Sequence, residues 1–167
     1  MADAATMTIK AVLLPDDIQV TLKDLTLAYT PADANDKWFY KLVKVVHTSN
    51  TNDLISGDYI ESDESTAGAF QTISISDKVR FLFIKNTGTT NGTTASDESI
   101  LLSLSGATVG YASTDTIEIG SGESWFAKLP NVTAGDIHAR AADAGATSDG
   151  EASVQCIIAA VLDDVSP

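Results

Sequence analysis

The amino-acid sequence predicts an all-β domain, a β-sandwich of the jelly-roll or immunoglobulin-like kind. Three observations carry that expectation. Apolar residues recur with a period of two, which is the spacing of one face of a strand. The runs are short and rich in β-branched and aromatic residues. Gly, Asn, Asp, Ser and Thr close them at turn positions. About ten such runs lie at a spacing of roughly 8–12 residues, the pattern of a sandwich or barrel. Strand order is not written in such a pattern, so both sandwich types stay open.

Along the chain, Ile18, Val20 and Leu22 alternate with polar residues, as do Leu25, Leu27 and Tyr29. Trp38-Phe39-Tyr40 is apolar at every position and reads as a buried or interface strand. Ile73 and Ile75 alternate with Ser74 and Ser76. In the next run Val79, Phe81 and Phe83 are expected on one face, with Arg80, Leu82 and Ile84 on the other. Phe81–Lys85 is apolar on both faces, which places it centrally in a sheet.

The polar, Gly-bearing stretch from Asn86 to Gly92 separates this run from Ile100, Leu102 and Leu104. Residues 79–104 therefore read as a hairpin with a long tip. Ser105-Gly106 and Gly120-Ser121-Gly122 punctuate the strands around Ile117 and Ile119. Pro130-Asn131 is expected to stop the Trp125–Leu129 run, because proline cannot donate to a ladder. Residues 61–69 and 141–150 are small and polar and read as loops. Val154, Cys156, Ile158, Ala160 and Leu162 form the last alternating strand.

The 167 residues fit a single domain, 1–167, long enough to bury a core without staples. Residues 1–17 have two readings. They form an N-terminal arm, with Ile9, Val12, Leu13 and Leu14 reaching a neighbouring molecule by strand addition, or an ordinary edge strand of the domain.

The formal net charge is −13, and no Lys/Arg cluster interrupts it. Such a field repels phosphate backbones and anionic membranes, so neither nucleic acid nor a membrane is an expected partner. It favours solubility at high copy number. The single cysteine, Cys156, forms no intrachain disulfide and sits in an apolar run, where it reads as a small buried hydrophobe. The acidic N-terminus is not a secretory signal, and no stretch approaches the ~20 apolar residues that span a bilayer. The chain is expected to be made in a cytoplasm, with a particle as a possible final location.

No constellation for chemistry emerges. His47 and His138 are the two histidines, and neither lies near a nucleophile elbow. Gly120-Ser121-Gly122-Glu123-Ser124 has the serine in the wrong place for one. Two histidines and one distant cysteine make a poor zinc site. Asp33, Asn35 and Asp36, and Asp143 with Asp149, are loop carboxylates and amides of the kind calcium uses, but the EF-hand glycine and terminal glutamate are missing. The Gly120/Gly122 pair lacks the rest of a phosphate cradle. The expectation is a non-enzyme without cofactor, metal or catalytic residues.

The stretch Val79-Arg80-Phe81-Leu82-Phe83-Ile84-Lys85-Asn86-Thr87-Gly88 carries a resemblance, as does Ile117-Glu118-Ile119-Gly120-Ser121-Gly122-Glu123-Ser124-Trp125-Phe126-Ala127-Lys128-Leu129-Pro130-Asn131. Together with Asp36-Lys37-Trp38-Phe39-Tyr40-Lys41, Asp136-Ile137-His138-Ala139 and the closing strand, the chain resembles small β-rich virion structural proteins of tailed bacteriophages, of the capsid decoration or cement kind. The resemblance runs over roughly residues 36–163 and leaves out residues 1–35. It carries no active residues across. It implies a homotrimer on the capsid exterior that binds the major capsid protein and braces the shell. A tail, neck or fibre component acting as a receptor- or glycan-binding module is the alternative.

Overall fold

The computed structural model describes residues 5–9, 25–29, 37–47, 52–61, 70–106, 116–142 and 153–163. Their fold is all-β: antiparallel strands, one short 3-10 turn at Ala134–Asp136 and no α-helix among the described residues.

The strands are β1 (Ala5–Ile9), β2 (Leu25–Tyr29), β3 (Lys37–Val46), β4 (Asn52–Asp53), β5 (Asp58–Glu61), β6 (Phe70–Thr72), β7 (Lys78–Asn86), β8 (Ile100–Ser103), β9 (Ile117–Ile119), β10 (Ser124–Thr133), β11 (His138–Ala141) and β12 (Ser153–Asp163). A six-stranded sheet has the order β10-β7-β12-β3-β5-β6. A four-stranded sheet has the order β4-β11-β8-β9. Strands β1 and β2 pair with each other as a separate ribbon. From β3 onward the chain passes repeatedly between the two larger sheets: β3 to β4, β4 to β5, β7 to β8, β9 to β10, β10 to β11 and β11 to β12 are all crossings.

The longest strand, β12, organises the six-stranded sheet because it pairs with β3 on one side and β7 on the other. Its alternation is as the sequence predicts. Val154, Cys156, Ile158, Ala160 and Leu162 are all buried in the main core. Opposite them β3 contributes Phe39 and Val45, and β7 contributes Val79, Leu82 and Ile84. The four-stranded sheet adds Ile100, Leu102, Ile119 and Ala139 to the same cluster. One apolar core is thus shared by both sheets.

Burial pushes the Cys156 thiol up to about 12, since a thiolate there would be stripped of water. Native protein at pH 8 is therefore expected to leave a thiol reagent unreacted, with modification following unfolding. A rapid stoichiometric reaction in native buffer would contradict this placement.

The structure corrects four sequence expectations. First, β7 and β8 do not form a hairpin; they belong to different sheets. Asn86, at the end of β7, is fully buried and explains the departure. Its Nδ2 donates to the carbonyls of Glu98 and Ile119, and its Oδ1 accepts from Gly88 N–H. The side chain thereby fastens the end of one sheet to strand β9 of the other.

Second, Val79 does not share a face with Phe81 and Phe83. Val161 and Leu162 of β12 are consecutive, yet they pair with Phe81 and Val79. Arg80 is the extra residue of a bulge, and a bulge reverses strand parity. Val79 joins the main core, while Phe81 packs with Val161, Trp38 and Phe83 on the other side.

Third, Ile73 and Ile75 do not continue a strand. Strand β6 ends at Thr72, and a turn follows in which Asp77 Oδ2 accepts from Ser74 N–H at 3.0 Å. Ile73 is buried and Ile75 is exposed.

Fourth, Pro130 does not stop its strand. β10 runs on to Thr133, with its pairing to β7 interrupted between Lys128 and Val132. Proline is tolerated because β10 is the edge of the sheet, where no ladder bond is lost on the outward side.

Arg80 closes both irregularities. Its Nε donates to Asp163 Oδ2 at 2.9 Å, its Nη2 contacts the same oxygen, and its Nη1 donates to the Pro130 carbonyl at 2.8 Å. One guanidinium thus ties β7 to β10 and β12. The ion pair is partly exposed, so solvent screens it. Arg80→Ala is expected to cost about 1 kcal/mol in a urea titration, and Arg80→Lys to recover only part, because an ammonium lacks the planar fork. A full recovery by lysine would show that charge alone matters.

Candidate binding surface

The core takes one face of the six-stranded sheet, and the register defines what stands on the other. Three cross-strand rows run from β3 through β12 and β7 to β10. They are Trp38–Val161–Phe81–Lys128, Tyr40–Ala159–Phe83–Phe126 and Leu42–Ile157–Lys85–Ser124. Nearly every position in the first two rows is apolar.

A small residue in a row of large ones leaves a depression. Ala159 lies on β12 between Tyr40 on β3 and Phe83 on β7. An apolar groove of about 270 Å³ forms there, lined by Trp38, Tyr40, Phe81, Ala159 and Val161 among others. Phe81 and Val161 are buried beneath it, while Tyr40 is 64% and Leu42 52% exposed. Large apolar groups so exposed, contiguous and mounted on central strands mark a contact surface. The Trp38-Phe39-Tyr40 cluster resolves accordingly: Phe39 enters the core, and its neighbours build this face.

The electrostatics of the face oppose those of the chain. On its rows stand Lys128 and Lys85, with Lys44 continuing the same side of β3, all exposed. Asp163, also on this side of β12, is engaged by Arg80. A local positive rim on a chain of net charge −13 fits an apolar partner edged with carboxylates.

His138 stands in a row across the four-stranded sheet, with Asp53 on β4 and Ser103 on β8. Its Nδ1 is 3.1 Å from Asp53 Oδ1. The order acid, imidazole, hydroxyl is that of a catalytic triad, but Ser103 is buried and shares a hydrogen bond with Ser105 Oγ at 3.2 Å. A nucleophile must face substrate and its base, so this row is packing. No signal in the sequence linked these three residues, because only the pairing of β4, β11 and β8 aligns them. His47 follows the end of β3. Among the described residues no group of acidic, histidine or cysteine side chains is placed to hold a metal ion.

Of the contact residues expected from sequence, Ile9 closes β1, where it pairs with Leu25. Val12, Leu13 and Leu14 lie outside the described residues, as do Asp33, Asn35, Asp36, Asp143 and Asp149. Trp125 is half-buried against the main core. The residues that sequence reasoning missed are Leu42, Ala159 and Phe83, which share a surface only once β3, β12 and β7 are in register. Comparison with protein-family models, with curated proteins and with solved structures returned no match.

Proposed function

We propose that this chain is a non-enzymatic structural protein of a tailed-phage virion, a capsid decoration protein that binds the outer shell and stabilises it. The observation that carries this reading is the exposed apolar face on β3, β12 and β7, rimmed by lysines in an otherwise acidic chain. It is a surface for assembly with protein, and the net charge of −13 suits the capsid exterior, not the side lining packaged DNA. The repeated crossings between two sheets that share one core support a β-sandwich, of jelly-roll or immunoglobulin-like type. Assembly as a homotrimer would present a repeated surface to the shell lattice, with the major capsid protein as partner.

The groove argues against the alternative of a glycan-binding tail or fibre module. Its walls offer rings but few hydrogen-bonding side chains, and sugars need both. The test is co-sedimentation of the purified chain with assembled capsids of the encoding phage, followed by cryo-electron microscopy of decorated shells. Pelleting with capsids, and density on the shell, are expected. Density confined to the neck or tail, or no pelleting at saturating protein, would overturn the proposal.

A further inference from the structure

The apolar groove has a cationic neighbour. A second cavity, of about 370 Å³, lies at the β10 edge of the six-stranded sheet and is lined by Arg80, Lys128, Leu129 and Pro130. Phe81 lines the groove, Lys128 lines this cavity, and the register sets the two residues directly opposite each other. Arg80 is answered by Asp163. Lys128 is exposed and has Phe81, not a carboxylate, as its cross-strand neighbour. Strand geometry fixes the spacing. Ala159, in the groove, and Lys128 stand two strands and one row apart. That separation is about 12 Å, which an extended chain covers in roughly three to four residues.

Charge narrows the occupant. The three rows of the outer face hold Lys85 and Lys128 and no carboxylate. Two copies of this face laid together would therefore set lysine against lysine, with nothing to neutralise either. The partner must bring the acid. We infer that groove and cavity form one site for a segment of another protein, which seats a large apolar side chain over Ala159 and, roughly three to four residues along, sets a carboxylate against Lys128 beside Arg80. Burial of the apolar group supplies the affinity, because an ion pair at an exposed lysine adds little. The carboxylate selects the segment and fixes its direction across the strands. The inference rests on the proposed function only for the source of the segment, which is then the shell protein; its chemistry rests on the geometry.

Two blocked peptides test this on the full-length, isotope-labelled chain. One carries phenylalanine, two glycines and glutamate; the other has glutamine in place of the glutamate. The first should shift the amide resonances of Phe81, Phe83, Lys128 and Ala159. The second should bind about five-fold more weakly, the loss of one exposed ion pair. Lys128→Glu, with an unchanged circular dichroism spectrum, should abolish the preference for the acidic peptide, and Tyr40→Glu should weaken both. Equal binding of the two peptides, or no shift at those residues at millimolar peptide, would overturn the inference.

Capsid pelleting separates this site from the proposed function. Peptide discrimination without pelleting removes the decoration reading and leaves the site standing. Pelleting that survives both Lys128→Glu and Tyr40→Glu removes the site and leaves decoration standing. An oligomer of the unaltered chain that Lys128→Glu dissolves to the single-chain 17.5 kDa would make a second copy the occupant and overturn the inference.

Discussion

Ile158→Ala is expected to lower the unfolding free energy by about 3 kcal/mol, within the range for removing a large buried aliphatic side chain. Ile158 is fully buried at the middle of β12, with Lys41 of β3 and Ile84 of β7 as its cross-strand neighbours. It belongs to the core that both sheets share, so the surrounding strands have little freedom to close the cavity. The neighbouring Ile157 supplies the control. It points to the outer face, opposite Leu42 and Lys85, and is only partly buried. Its replacement by alanine should cost less, about 1–2 kcal/mol, since part of the lost area was already in water. Urea denaturation followed by circular dichroism gives both numbers. For a chain of this size the melting midpoint should fall by roughly 2–4 °C for each kcal/mol lost. Equal losses at the two positions would mean that the faces of β12 are wrongly assigned.

That pair of residues also shows what the sequence carries and what it withholds. The inner face of β12 was legible because Val154, Cys156, Ile158, Ala160 and Leu162 keep one parity, and the strand pairs with β3 without a break in register. The all-β class was legible from the period of two in runs along the chain. The two faces of β7 were not, because the bulge at Arg80 reverses parity between Val79 and Phe81. The bulge there depends on Asp163 and on the carbonyl of Pro130, which are distant in sequence. Local alternation contains no term for such a clamp. The contact surface was half legible. Trp38-Phe39-Tyr40 read as a buried or an interface strand, but Ala159 is an ordinary small residue until β3 and β7 place an aromatic ring on either side of it. A groove is a property of a register, and register is set by pairings between remote segments.

The expected hairpin from β7 to β8 failed on a single buried amide, and Asn86 yields the second large effect. Asn86→Leu is expected to cost about 3 kcal/mol, because buried polar groups left without partners each cost roughly 1–3 kcal/mol. The groups at stake are the carbonyls of Glu98 and Ile119 and the N–H of Gly88. Gly88 is also held from the other side, since its carbonyl accepts from Ser96 N–H at 2.8 Å. Asn86→Asp separates shape from hydrogen bonding. Aspartate has the same outline and can still accept from Gly88, but an ionised carboxylate faces two carbonyl oxygens where an amide donated. Its loss at pH 7 should therefore equal or exceed that of the leucine variant. Both variants should also expose residues 87–99 to limited proteolysis, as the loop loses its anchor to β9. Should Asn86→Asp unfold at the same urea concentration as the unaltered chain, the side chain would be filling space only. The passage from one sheet to the other would then have to be held by the Thr87 and Gln155 backbone contacts instead.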